Sequence, residues 1–501
     1  MKSIRIKNLR SLIDTNRLEI KPLTITVGRN SCGKSTLLRI FPLLKQTLET
    51  KTSTPILWYG PYTDFGDFKQ AINRKHKNEL IEFWFEFEMD EIYNRRNTDK
   101  NIIGINFKMD EYAVKELNIF YLENKVNIIF NKSKIEYLNI NDTIFNSEEF
   151  VSRKNESNII PSIINSSEFE LDFNWNPLVK YKEIFLEKAL KNSKNCAEDY
   201  DDKKFERFFY NFVNLTQVVP EFKFNRSMSS RNLVGKEYGK IIIDLVNEDK
   251  NFKSIIIAYK IDELINYCNN LLNNRLTSIS YIAPIRATAE RYYRQQGLYV
   301  QEVDPRGENL PHILDNMDDD EKCNFSEWVE SNFNFSIKTN RSEGHISLYI
   351  VNGTEEINIA DTGFGYSQIL PILLILWKSI NNKENVVGND IIFHKFSRRY
   401  PHRLVVIEQP ELHLHPKMQS QFIKLIAAIM KMNSNSKIRF IIETHSEHII
   451  NQIGELISED KISSKDVSVL RVDSMDSAES FITPTYYSES GYLKNWPIDF
   501  F

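Results

Sequence analysis

Two stretches of this 501-residue chain hold side chains of the types and spacing that handle phosphates. The first is GRNSCGKST, Gly28 to Thr36, which satisfies G-x-x-x-x-G-K-[ST], follows the apolar run LTITV and opens a helical pattern. Gly28 and Gly33 let the backbone fold tightly enough for successive N–H groups to face an anion, and the start of the following helix adds partial positive charge. Asn30, Ser31, Cys32 and Thr36 complete the loop. In that arrangement Lys34 meets the β and γ phosphates of a nucleotide and the Ser35 hydroxyl ligates Mg2+.

The second stretch is LVVIEQPELHLHP, Leu404 to Pro416. Its apolar run puts Glu408 at the C-terminal end of a buried parallel strand, where ligands collect in such sheets and where a carboxylate can hold Mg2+ directly or through water. The next position, at which nucleotide hydrolases of this type carry the carboxylate that activates water, is Gln409. A glutamine amide can orient a water molecule but cannot take its proton. Glu411, beyond Pro410, and His445 are the residues within the motifs that can substitute as base, so the pattern leaves two readings open: a hydrolase, or a switch controlled by bound nucleotide. A rival reading makes His413 with His415, or His445 with His448, zinc ligands, but neither pair brings a third ligand.

These residues need elements to position them, and three zones separate along the chain. Residues 1 to about 95 alternate short strands with the phosphate loop and an amphipathic helix from about Lys34 to Leu48, then end in LIEFWFEFEM, whose alternation fits a half-buried antiparallel strand. Residues 96 to 275 are rich in Asn, Lys, Ile and Phe, with short strands followed by helical pieces such as SIIIAYKIDELINYCNNLLNNRL, and lack the sustained heptads of a coiled-coil arm. From SISYIAPIR to residue 501 strand and helix alternate again, which predicts a parallel α/β sheet completed by the C-terminal half. The acidic runs DNMDDDEK and EDYDDKK read as solvated loops.

Composition bounds the remaining choices. A chain with 41% hydrophobic and 26% charged residues and a net charge of −4 can bury a substantial core and is not built to coat nucleic acid. Basic and aromatic residues do mix in FKFNRSMSSRNLVGK, RATAERYYRQQ and FHKFSRRYPHR, so contact of one segment with DNA or RNA stays open. No apolar run reaches the roughly 20 residues of a bilayer span, and MKSIRIKNLRSL lacks the apolar core of a signal peptide. Cys32, Cys196, Cys268 and Cys323 show no paired spacing, which points to a reducing cytoplasm rather than to disulfides or zinc.

Taken in order, GRNSCGKST, DTGFGYSQILP (Asp361 to Pro371), IEQPELHLHP and FIIETHSEHII resemble the motifs of an ABC-type ATPase head, as found in SMC-like repair ATPases and overcoming-lysogenisation-defect proteins. More narrowly, YIAPIRATAERYY and SGYLKNWPIDFF resemble the PtuA-type ATPases of the Septu and retron-associated antiphage systems. The resemblance covers residues 1 to 95 and 276 to 501. It implies an α/β fold, an ABC-type P-loop head with a mixed sheet and an antiparallel β lobe, interrupted by an inserted, mostly helical region. ATP with Mg2+ is the implied ligand pair. GFGYSQ becomes the counterpart of the ABC signature: Gly363 and Gly365 permit close backbone approach, and Ser367 with Gln368 donate to the γ-phosphate held by a second subunit. A plain glycine loop capping the next helix is the alternative for that segment. LHLHP would cross the dimer interface, His445 would be the switch histidine or else a simple helix cap, and Arg10 and Ser11 of NLRSL would approach the nucleotide.

The functional expectation is an ATP-binding, slowly hydrolysing ATPase that dimerises on nucleotide, as a homodimer or a larger assembly of dimers, and controls a separate effector nuclease of HNH type in antiphage defence. The alternative is an SMC-like ATPase of DNA repair or chromosome maintenance, which the missing coiled-coil arm disfavours. A nuclease in its own right is disfavoured by VSVLRVDSMDSAESF, which lacks the glutamate and paired aspartates of a Toprim domain.

Overall fold

The computed structural model describes residues 1–88, 102–132, 134–165, 248–297, 300–381, 403–432, 438–476, 479–494 and 496. The chain divides into two compact units, one formed by residues 1–4, 51–55 and 80–273, the other by residues 5–50, 56–79 and 274–501. Among the described residues no helix is long and apolar enough to cross a membrane.

The first unit is built on an antiparallel meander. Strands Ile81–Glu88, Ile102–Met109, Val114–Tyr121, Asn124–Asn131 and Lys134–Ile140 pair in sequence order. Period-two alternation sorts their faces. Phe83, Phe107, Leu117, Ile128 and Leu138 lie in one cross-strand row and are all fully buried. Asn106, Asn118, Asn127 and Asn139 form the neighbouring row, in which the Asn127 amide donates to Asn118 Oδ1 at 2.6 Å. The helical stretch expected near residue 253 is two helices, Lys250–Tyr259 and Ile261–Thr277, the first capped by the Asp249 carboxylate. FKFNRSMSSRNLVGK, EDYDDKK, Cys196 and most of FHKFSRRYPHR lie outside the described residues.

The second unit carries the phosphate motifs. Its sheet runs, in spatial order, Ile279–Ile282, Arg403–Glu408, Ile438–Glu443, Leu23–Gly28 and Val467–Asp476, all parallel, and Glu479–Thr485 then pairs antiparallel to the last. The sheet is therefore mixed, and the fold is α/β. The central strands read as nearly unbroken apolar runs because helices cover both faces of a parallel sheet. Ile282, Ile407, Ile442 and Ile25 form one row across four strands, each with no exposed surface. The next row, one residue further along, holds Glu408, Glu443 and Thr26. Charge therefore begins where the apolar core ends, at the C-terminal edge of the sheet.

One expectation is corrected here. DNMDDDEK is not a free loop: Asp318 caps the helix Asp319–Phe333 by accepting from the Glu321 N–H at 2.7 Å. Asp319, Asp320 and Glu321 fill the first turn, where negative charge is favoured by the helix dipole. Replacing Ile442 by Ala removes the middle of the four-isoleucine row, and denaturant unfolding should show a loss of about 2–5 kcal/mol with an unchanged slope.

Candidate nucleotide site

The phosphate loop joins the buried strand Leu23–Gly28 to the helix Lys34–Glu49. Its geometry excludes side chains at both glycines. A Cβ on Gly28 would sit 2.3 Å from the Val472 carbonyl oxygen, and one on Gly33 would sit 2.7 Å from Ser11 Oγ and 2.9 Å from Ser480 Oγ. Gly33 also has φ +98°, a conformation other residues rarely adopt. Gly33 is the N-cap of the helix and supplies no side-chain acceptor, so the first N–H groups keep their donor capacity. Arg29, Asn30 and Ser31 are exposed, Ser31 at φ +63°, whereas Cys32 is buried beneath the turn. Thr36 is buried on the helix. Ser11 lies against Gly33. Arg10 lies over the Phe65 ring, 4.2 Å from its centroid, and donates to the Asp64 carbonyl at 3.3 Å.

Lys34 is only 3% exposed, and its ammonium donates to the Arg29 carbonyl of its own loop at 2.7 Å. Its charge, after burial, holds the His445 imidazole below the ordinary histidine range. His445 follows the strand Ile438–Glu443 and is thus placed close enough to feel the phosphate-loop lysine.

Glu408 and Glu443 face each other in register at the ends of adjacent strands, 0% and 1% exposed. The helix Lys34–Glu49 meets them with two residues four apart, which share one helix face. Ser35 Oγ lies 3.2 and 3.1 Å from the two Glu443 oxygens. Arg39 clamps Glu408 with Nε at 3.0 Å from Oε1 and Nη2 at 3.0 Å from Oε2, and the Tyr281 hydroxyl adds a bond of 2.7 Å to Oε1. Burial and the neighbouring Glu408 push the Glu443 carboxyl up to about 7. Glu408, read from sequence as a Mg2+ carboxylate, is thus held by Arg39 and Tyr281, and the carboxylate beside Ser35 is Glu443. Sequence reasoning passed over Glu443 although LVVIE and IRFIIE end in the same way.

The turn after Glu408 is held from below. Gln409 sits at φ +45°, and its N–H donates to the Glu443 carbonyl at 2.8 Å. Arg286, 3% exposed, directs its guanidinium at the carbonyls of Glu408, Gln409 and Pro410 over 3.3 to 3.5 Å. Burial among neutral acceptors lowers its pKa to about 10. Arg286 was assigned to a segment that could track a nucleic-acid backbone; burial withdraws it from that role, and Arg291 of the same segment is ion-paired with Asp361.

Glu411 swings back under the turn, but toward protein donors. One of its oxygens accepts from the His445 N–H at 2.7 Å and the other from the Thr444 hydroxyl at 2.9 Å. Burial raises its pKa against those bonds. Glu411 therefore ties the loop of His445 to the turn that carries Gln409.

The glycine segment begins its helix earlier than expected. Phe364–Asn381 is helical from Phe364, so Ser367 falls in the first turn, 8% exposed, with its hydroxyl on the Phe364 carbonyl at 2.9 Å, and Gln368 is buried. The groups presented at this end are the backbone of Gly363, which has open space around it, and of Gly365, which packs toward the His413 carbonyl. Exposed Phe364 lies against the His413 ring, centroids 5.6 Å apart. Signature-like and LHLHP segments thus form one surface of this unit.

Comparison with known proteins gives three findings. The family described as AAA ATPase domain matches residues 1–450. A segment of 94 residues is 36% identical to Endonuclease GajA of Bacillus cereus (strain HuB5-5), and covers 18% of this chain and 12% of that protein. The Smc head domain of Pyrococcus furiosus, solved with an extended coiled coil and bound to the C-terminal domain of ScpA, aligns over 96% of this chain and 95% of its own, at 11% identity and a TM-score of 0.36. The SMC head domain from Thermotoga maritima aligns over 96% and 98%, at 10% identity and the same TM-score of 0.36.

Arg286→Met leaves the carbonyls of the Glu408–Pro410 turn without their buried donor. Such loss costs about 1–3 kcal/mol, and hydrogen exchange at residues 408–411 should quicken while exchange in the strand Leu23–Gly28 stays slow.

Proposed function

The chain belongs to the AAA ATPase domain family, and from that premise we propose that it is a slowly hydrolysing, ATP-controlled switch rather than a fast hydrolase. The observation that carries this reading is a complete phosphate loop set beside a base position filled by Gln409, whose two candidate substitutes are both compromised. Glu411 already spends its oxygens on His445 N–H and Thr444. His445 is a weaker base than a free histidine because burial and the Lys34 charge depress its pKa.

The residues present fit ATP and Mg2+. Packing against Val472, Ser11 and Ser480 admits only glycine at Gly28 and Gly33, which fixes the loop backbone in the form that turns N–H groups toward an anion. Lys34, parked on its own loop carbonyl, has a charged amine ready for the β and γ phosphates. Ser35 and a strand-end carboxylate beside it are the hard oxygen donors that Mg2+ selects. Bound Mg2+ would neutralise charge on the β and γ phosphate oxygens. Around it, this chain's residues position rather than activate: Arg286 fixes the Gln409 turn, Gln409 orients water through its amide, and Glu411 keeps His445 at the loop.

The wider role rests on the motifs of the sequence. Two copies are proposed to close on nucleotide, with the Gly363–Gly365 backbone and LHLHP facing the phosphate loop of the partner. ATP held for long periods would then stabilise an assembled, silent state that restrains a separate effector nuclease during phage infection, in the manner of Septu-type ATPases. Similarity of one segment to an endonuclease supports a link with nucleic-acid cleavage, carried in this proposal by the partner.

Lys34→Ala removes a charge-assisted contact worth about 1.5–3 kcal/mol, so calorimetry should record at least a tenfold loss of ATP affinity. In single-turnover assays the purified chain should hydrolyse ATP far below the median enzyme rate of about 10 per second, and Gln409→Glu should raise that rate by about 10²-fold or more. Turnover of about one per second by the unmodified chain would sink the switch reading, because it would show that a base is already in place.

A further inference from the structure

Resting on the nucleotide-binding reading above, we propose that the carboxylate serving the site's divalent cation is Glu443, and that Glu408, at the strand end the sequence pattern singles out, is an anchor held by Arg39 and Tyr281.

The argument starts from lone pairs. A carboxylate offers about four acceptor positions. At Glu408 the Arg39 guanidinium bonds both oxygens and the Tyr281 hydroxyl bonds one of them, so charge and hydrogen-bonding capacity are met within the protein. Glu443 is just as deeply buried, yet among the described residues its side-chain bonds come from Ser35 alone, whose single proton is shared between two oxygens at 3.2 and 3.1 Å. A buried carboxylate with most of its lone pairs undonated stays ionised only at a cost, which a cation bound beside it offsets. The Ser35 hydroxyl that touches it is the phosphate-loop group that ligates Mg2+ in this motif.

A second observation comes from the same row of the sheet. Thr26 pairs in register with Glu443, and its hydroxyl is fully buried without a hydrogen-bond partner among the described residues. Paired residues of adjacent parallel strands point to one face. The Ser35 hydroxyl, the Glu443 carboxylate and the unsatisfied Thr26 hydroxyl therefore gather hard oxygens at one corner. Such a set suits a small divalent ion that keeps several of its waters. Helix geometry enforces the division of labour: Ser35 and Arg39, one turn apart, face two adjacent strands, so a cation at Ser35 meets Glu443 first, with the Arg39 charge standing on the Glu408 side.

The test uses the full chain with Mn2+ in place of Mg2+ and a non-hydrolysable ATP analogue, with bound Mn2+ counted by electron paramagnetic resonance. Glu443→Gln should weaken Mn2+ binding in the analogue complex by at least about tenfold, while the affinity for analogue without metal is retained. Glu443→Asp keeps the charge but withdraws it by one methylene, and should give a smaller loss in the same direction. Glu408→Gln should leave Mn2+ affinity within about twofold and instead lower the melting temperature, because Arg39 loses its buried partner. The reverse pattern, or equal loss of Mn2+ in both glutamine variants, overturns the assignment. Failure of the unmodified chain to bind the analogue with or without metal would overturn the nucleotide reading itself; metal-free analogue binding with unchanged Mn2+ affinity in Glu443→Gln would overturn only the role of Glu443.

Discussion

Two glutamates buried side by side at the ends of parallel strands are the constraint around which the second unit is organised. Glu408 and Glu443 occupy paired positions one residue beyond an all-isoleucine row, where solvation is poor and like charges repel. The fold answers with different devices for each. A full guanidinium and a phenol neutralise Glu408, whereas Glu443 receives a serine hydroxyl and the more distant charges of Lys34 and Arg39. All but the phenol come from the helix that begins at the phosphate loop, so docking of that helix on the sheet and construction of the anion site are one event.

The same economy governs the turn that follows. Strand-end turns expose carbonyls that need donors, and Arg286 supplies them from a distant part of the chain. Glu411 then links that turn to the loop of His445, through the backbone N–H rather than the imidazole. Because the Gln409 N–H also bonds the Glu443 carbonyl, a shift at either of these two strand ends is felt at the other. In the switch proposed above, a nucleotide bound at the loop would bias the turn and the histidine together through these bonds.

Much of this was legible in the residues. The phosphate loop, its strand and its helix follow from glycine spacing between an apolar run and an amphipathic one, since only that local order lets backbone N–H groups converge on an anion. Parallel strands were readable in LTITV, LVVIE and IRFII because a strand buried on both faces must be apolar throughout. Periodicity likewise outlined the helix Lys34–Glu49 and the antiparallel strand Ile81–Glu88, whose alternation read as half-buried although Glu82 and Glu86 are buried too. The absence of a carboxylate at position 409 is likewise a fact of sequence, and it constrains the chemistry however the chain folds.

Tertiary structure alone decided which charges meet. Spacing along the chain is silent on whether Ser35 faces Glu408 or Glu443, 373 and 408 residues away, because strand order in the sheet sets that choice. The strand ending in Glu443 inserts between the phosphate-loop strand and the strand ending in Glu408, and this adjacency gives Ser35 to one and Arg39 to the other. Arg286 read as a surface cation until burial showed it beneath the Gln409 turn, and DNMDDDEK read as a loop until Asp318 was seen capping a helix. The helix whose start the sequence put at Ser367 begins at Phe364, so the Ser367 hydroxyl meets a carbonyl of its own first turn. Local pattern determines what each segment can become, while long-range pairing determines which of its polar groups are spent on the protein and which stay open to a ligand.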